Sequence, residues 1–179
     1  MATQVSLLGA NVDQIDPGTT TNGERALFKL GTRCHGPDNI EYVYVQAGAA
    51  LMTATTDANA IAIDEDYQAQ LMTTALALVN HELGFCPQAI IADNSFFWAR
   101  VNGSNINVRV SASAAADTYL RTTVTAGRLG TASTASAVVF TGVVLVTAAS
   151  ASTSANNSVR EVLMTKGRAA RQGLSTFVS

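Results

Sequence analysis

Every cysteine and histidine of this chain falls in one of two short pieces: the adjacent pair Cys34-His35, and His81 with Cys86 five residues later. Together they amount to a Cys₂His₂ set, and zinc takes tetrahedral nitrogen and sulfur ligands. The spacing argues against zinc, because adjacent residues on a strand point to opposite faces, so Cys34 and His35 cannot easily share an ion. A Cys34–His35 nucleophile pair fares no better, since no orienting acid lies nearby in a triad pattern. Asp64-Glu65-Asp66 offers paired carboxylates, but lacks the alternating ligands and glycine of a calcium loop and suits a turn at a strand end. Gly127-Arg128-Leu129-Gly130 has neither the spacing nor the following helix of a phosphate loop. The expectation is a buried Cys86 beside Phe85, a solvated His81, no metal, no cofactor, no disulfide and no catalytic set.

The remaining concentration of chemistry is aromatic. Phe96-Phe97-Trp98 could be a ligand platform or an interface anchor, since aromatics and arginine dominate binding hot spots. On a strand, Phe97 must oppose Phe96 and Trp98, so one side is core. The other is either a second core face or a subunit contact, and Phe96 and Trp98 are therefore candidate interface residues.

The elements carrying these residues read as strands. Glu41–Gln46 alternates aromatic and β-branched residues, as a pleated half-buried ribbon favours. Ala60–Ile63 ends at the acidic turn, and Gln88–Ile91 at the turn cluster Ala92-Asp93-Asn94-Ser95. Phe96–Val101 runs into Asn102-Gly103, a strong hairpin signal. Ile106, Val108, Val110 and Ala112 then face one way, with Asn107, Arg109 and Ser111 facing the other. Tyr119–Thr125 continues the pattern, and Val138–Val146 reads as a central strand bent near Gly142. The core is expected to include Val43, Ile106, Val108, Val110, Val139 and Val144. Asp66–Glu82 is ambiguous; a strand at Gln68–Met72 and a short helical turn at Thr73–Leu78 is the preferred reading. Short strands so spaced indicate a barrel or sandwich.

The chain has 179 residues, 47% of them hydrophobic and only 13% charged, with two lysines, Lys29 and Lys166. About a quarter of residues are charged in an ordinary soluble domain, so part of this surface is expected to be covered by other subunits. A net charge of −2 argues against nucleic acid as a partner, and no apolar run reaches the roughly 20 residues of a membrane-spanning helix. Met1-Ala2-Thr3-Gln4 lacks the basic and apolar regions of a secretory signal, so synthesis in a cytoplasm is expected. Residues 1–30 mix turn formers with the anchors Val5, Leu7 and Leu8, and read as an N-terminal arm. Residues 31–154 read as one compact β-barrel or sandwich domain. Residues 155–179 read as a C-terminal arm, locally basic through Lys166, Arg168 and Arg171. Arms of this kind can add a strand to a neighbour's edge, which makes their apolar and basic residues candidate interface positions.

A series of short segments resembles the capsid decoration, or cement, proteins of tailed bacteriophages. These segments include Phe28–Arg33, Gly36–Ala47, Ala62–Ala69, Gly84–Ala89, Ala92–Gly103, Ala115–Leu120 and Thr123–Leu129, spread in order over roughly residues 28–147. The resemblance implies an all-β, non-enzymatic virion protein on the outer capsid surface, tying neighbouring capsomers together. It implies the major capsid protein as partner and self-association as a homo-trimer. The alternatives are another virion part, such as a head-fibre base or tail protein, and a glycan-binding β-module.

Overall fold

The computed structural model describes residues 9–17, 26–36, 39–48, 58–79, 81–87, 92–111, 114–132, 136–149 and 158–170. Among these the chain is almost entirely β, with eleven strands and one short helix. The strands are β1 (Ile15–Asp16), β2 (Arg33–His35), β3 (Glu41–Ala47), β4 (Ala60–Ile63), β5 (Gln68–Leu71), β6 (Glu82–Phe85), β7 (Phe96–Val110), β8 (Tyr119–Thr122), β9 (Leu129–Gly130), β10 (Val139–Leu145) and β11 (Ser158–Ala170). Helix α1 (Thr74–Leu78) follows β5 and is capped by Thr73, whose hydroxyl accepts the Leu76 N–H at 3.2 Å. The expected strand-then-helical-turn over 68–78 is therefore what forms, because a threonine cap stops the ribbon and starts the turn.

The fold is organised by β7. Its first half pairs with β3, and with β6 and β1 along its other edge. From there β6–β4–β5–β3 closes a five-stranded barrel, with only the β3–β5 contact parallel. Its second half pairs with β11 and continues through β10, β8 and β9 back to β7, a second closed circuit.

Sharing one strand between two circuits gives two cores. Val43, Val45, Ile61, Ile63, Phe97 and Val101 fill the small barrel. Ala47, Ala69 and Ala99 keep its interior narrow, and a Cβ at Gly84 would come within 2.9 Å of Ile63. The alternate residues Tyr42, Tyr44, Ala60, Ala62, Leu83, Phe85 and Trp98 point outward into a larger core. There they meet Ile106, Val108, Val110, Leu120, Phe140, Val143, Leu145, Val162 and Met164.

Several expectations are corrected by this arrangement. The ribbon at 41–46 is buried on both faces, because a second layer covers the barrel's outer wall. Asn102-Gly103 makes no hairpin: β7 runs straight through it for 15 residues and changes partners there, from β3 to β11. On β10, Phe140, Val143 and Leu145 are buried while Val139 and Val144 are only half-buried. Gly142, at φ +85°, bulges the strand and so inverts which residues face in.

Both presumed arm boundaries also move. Ala10 and Val12 are buried, β1 pairs with β7, and Phe28 packs on Tyr44 and Trp98, so these parts of residues 1–30 belong to the domain. Ser158–Ala170, placed in the C-terminal arm, is β11; its Val162 and Met164 are core residues, which no detached tail would have. The strand expected at Gln88–Ile91 and the core position Ala112 lie outside the described residues.

Candidate functional site

The sulfur and imidazole groups are held apart. Cys34 faces the larger core, while its neighbour His35 is exposed on the other side of β2. Cys86 lies inside the barrel, where burial alone pushes its thiol up to about 12. A buried thiol with a raised pKa is a poor nucleophile and a poor metal ligand. Both cysteines are free, and no group of three or more His, Cys, Asp or Glu able to hold a metal occurs among the described residues. His81 is half-buried rather than fully solvated.

The acidic turn is structural in its bonding. Asp64 accepts the N–H groups of Asp66 at 3.0 Å and Gln68 at 2.8 Å through one carboxylate oxygen, which closes the β4–β5 connection. Beside it opens a cleft of about 310 Å³ lined by Arg33, Asp64, Glu65, Tyr67, His81 and Glu82. Arg33 spans this region, 2.9 Å from Glu41 and 2.6 Å from Glu82. Partial burial lowers the Arg33 pKa, but the hydrogen bonds and charges of the two carboxylates outweigh it, so the net shift is upward. The fork ties β2, β3 and β6 together, and it is a use of charge that sequence spacing did not signal for Glu82.

The aromatic group is also internal. Tyr44 lies 5.0 Å from Trp98 and 5.4 Å from Phe28 between ring centroids, and stacks on Phe96 at 6.0 Å. The Tyr44 hydroxyl donates to the buried Asp16 carboxylate, and the Leu27 N–H donates to the phenol oxygen. Burial, then the Asp16 carboxylate, holds the phenol well above its ordinary pKa. These contacts pin two N-terminal pieces to the barrel wall. Trp98 is 2% exposed and is removed from the interface candidates, because the second core claims the face that a partner would have used. Phe96 is half-buried at the margin of the same cluster. Asp16 and Tyr44 were not singled out from sequence; an acid beside Pro17 reads simply as a turn.

Exposed large apolar side chains remain at Leu27, Leu78, Val79 and Val124, and on one sheet face. On the outward side of the second circuit, Tyr119 of β8, Val144 of β10 and Leu163 of β11 are register partners in one row. Tyr119 is 52% exposed and Leu163 is 44% exposed. Next to Leu163 a groove of about 510 Å³ opens where β7 changes partners, bordered by Asn39, Asn102, Ser104 and Thr165. Lys166 and Arg168 are backbone positions on β11, whereas Val5, Leu7, Leu8 and Arg171 lie outside the described residues. No helix among the described residues is long and apolar enough to cross a membrane. No protein-family model, curated protein or solved structure matches the chain.

Proposed function

We propose that this chain is a non-enzymatic structural protein of a tailed-phage virion, a decoration protein that binds the outer capsid surface and ties capsomers together. The observation that carries the reading is where the reactive groups go. Arg33, Glu41, Glu82, Asp64, Asp16 and Tyr44 hold strands to one another, and both thiols are buried. What is left to the solvent includes exposed apolar side chains such as Tyr119, Val146 and Leu163, which are suited to docking. The resemblance of residues 28–147 to decoration proteins supports the same reading. The partners are then the major capsid protein and other copies of this chain, with no cofactor, nucleic acid or membrane required. The place of action is the capsid surface after synthesis in the host cytoplasm.

Co-sedimentation of the purified chain with phage heads is the test. Saturable binding at a fixed copy number per head is expected, and absence of binding to heads at any concentration overturns the proposal. Binding to isolated tails, or to free oligosaccharide through the groove, would reassign the chain to the tail or to a glycan-binding module. The contribution of the arms is measured with chains lacking residues 1–8 or residues 171–179. Longer cuts remove Val12 from the core or shorten β11, and would confuse lost folding with lost binding.

A further inference from the structure

We infer that residues 9–16 form a detachable strap, which opens as a unit and uncovers one edge of β7 while both cores stay folded. The strand order permits this, because β1 lies off the path that closes the two circuits, and both keep all their strands when it leaves. The turn inside the strap is made by its own residues. The Asp13 N–H donates to the Asn11 side-chain oxygen at 3.1 Å, and the Gln14 N–H to the Asn11 carbonyl at 3.2 Å. Neither bond needs the barrel.

The ladder from the strap to β7 is two residues long, with Ile15 opposite Phe97 and Asp16 opposite Phe96. Ala10 and Val12 are buried in the larger core, and Ile15 is half-buried against the small barrel's interior. Opening thus removes two small side chains from the larger core, which keeps Tyr42, Tyr44, Phe85, Trp98 and Phe140. The bond from the Tyr44 hydroxyl to the Asp16 carboxylate is the latch. A hydrogen bond adds modestly to stability when its release returns both partners to water, whereas deleting one partner strands the other. Opening rehydrates the carboxylate and the hydroxyl together, so releasing the latch costs less than removing half of it by Tyr44→Phe.

β3 holds the opposite edge of β7 at the same residues, with Val45 opposite Phe97 and Gln46 opposite Phe96. β6 joins the strap's side farther along, at Arg100. Opening therefore bares the backbone of β7 at its first two residues. A bare strand edge is a template for pairing with another chain, and folded proteins cover such edges. β1 does so here with a piece short enough to leave. Segments with few buried contacts and few ladder bonds open well below the free energy of global unfolding. The inference is independent of the capsid reading.

The test is thiol labelling of the full chain carrying Val12→Cys, with maleimide in excess and the labelled sites identified by mass spectrometry. Val12 is 0% exposed, so a thiol in its place reacts when the strap opens, and the buried Cys86 of the small barrel is the reference within the same molecule. The introduced thiol should react on the order of 100-fold faster than Cys86. Its rate should rise far less steeply with urea, because that slope scales with the surface an opening exposes. Far-UV spectra verify folding, and Ala10→Cys serves should Val12→Cys fail to fold. Equal rates with equal urea slopes overturn the inference, since strap and barrel then open together. Labelling at the rate of an unfolded chain also overturns it, because the strap is then not seated.

Discussion

Replacing Gly103 with alanine is expected to be among the most damaging single-methyl changes available in this chain. Gly103 has φ +131° in the middle of β7, where the strand leaves β3 and takes up β11. A backbone held in so sparsely populated a region costs an ordinary residue on the order of 1–3 kcal/mol. The added Cβ would stand 2.8 Å from the Ile40 Cα and 3.0 Å from the Asn39 carbonyl oxygen. Both are backbone atoms that cannot rotate aside, and over-packing of this kind costs about 1–3 kcal/mol more. The sum, about 2–6 kcal/mol, is a large part of the 5–15 kcal/mol that typically holds a domain folded. With a urea slope of about 2 kcal/mol per molar, the unfolding midpoint should fall by about 1–3 M. Gly9→Ala is the control: its φ is +74°, but nothing lies within 4 Å of the new methyl. Only the left-handed conformation is then penalised, by roughly 1–2 kcal/mol. If Gly103→Ala unfolds at the wild-type midpoint, or matches Gly9→Ala, the close approach of β7 to Ile40 is not what requires glycine there.

Val108→Asp should cost several kcal/mol in chemical denaturation, because Val108 is fully buried and a carboxylate there has no partner; Asn107→Asp, on the exposed face next to it and opposite Glu161, should cost at most about 1 kcal/mol. Tyr44→Phe removes the donor to the buried Asp16 carboxylate and should cost about 1–3 kcal/mol; restoration by adding Asp16→Asn would identify the orphaned charge as the cause. Cys86 gives a pH signature. Its thiol, raised from 9.0 to about 12, stays protonated when folded but ionises when unfolded. Its stabilising contribution is complete below about pH 9 and is lost as pH rises towards 12, at roughly one kcal/mol per pH unit. Between pH 9 and 10, where the raised Tyr42 and Tyr44 contribute a loss of the same sign, Cys86→Ala should lessen without abolishing the loss seen in wild-type thermal melts, and an unchanged slope would refute the assignment.

Period-2 alternation was enough to find Ile106, Val108 and Val110, because a strand with one dry face leaves that mark. It was not enough to show that β3 is dry on both sides: Tyr42 and Tyr44 carry hydroxyls, and they look like an outer face until Phe28 and Trp98 close over Tyr44. Asn102-Gly103 misled for a related reason. A positive φ suits a hairpin and a bulged partner switch equally, and only the distant partner β11 decides between them. β11 itself was hidden because Val162 and Met164 bury against residues more than fifty positions earlier as well as against β10. On its own, that segment shows Val159, Val162, Leu163 and Met164 without a period of two, followed by basic residues. The candidate site suffered the same blindness. Asp16 with Tyr44 and Arg33 with Glu82 are non-local pairs, and nothing in local spacing announces them.

The low charge of the chain takes on a different meaning once the two cores are seen. A single-layer barrel of this length would have to cover its outer wall with polar side chains, and 13% charged residues would leave that wall under-solvated. Here the outer wall of the first barrel is the inner wall of the second circuit, so Tyr42, Tyr44, Ala60, Ala62, Phe85 and Trp98 need no solvation at all. Burying large apolar side chains is worth about 1.5–3 kcal/mol each, and two-sided strands collect that gain on both faces of the same backbone. Much of the apolar excess is thereby absorbed within one chain. Covered surface is needed only for what the second core does not reach. On the second circuit that includes the outward side of β8, β10 and β11, where Tyr119, Val144 and Leu163 line up in one row.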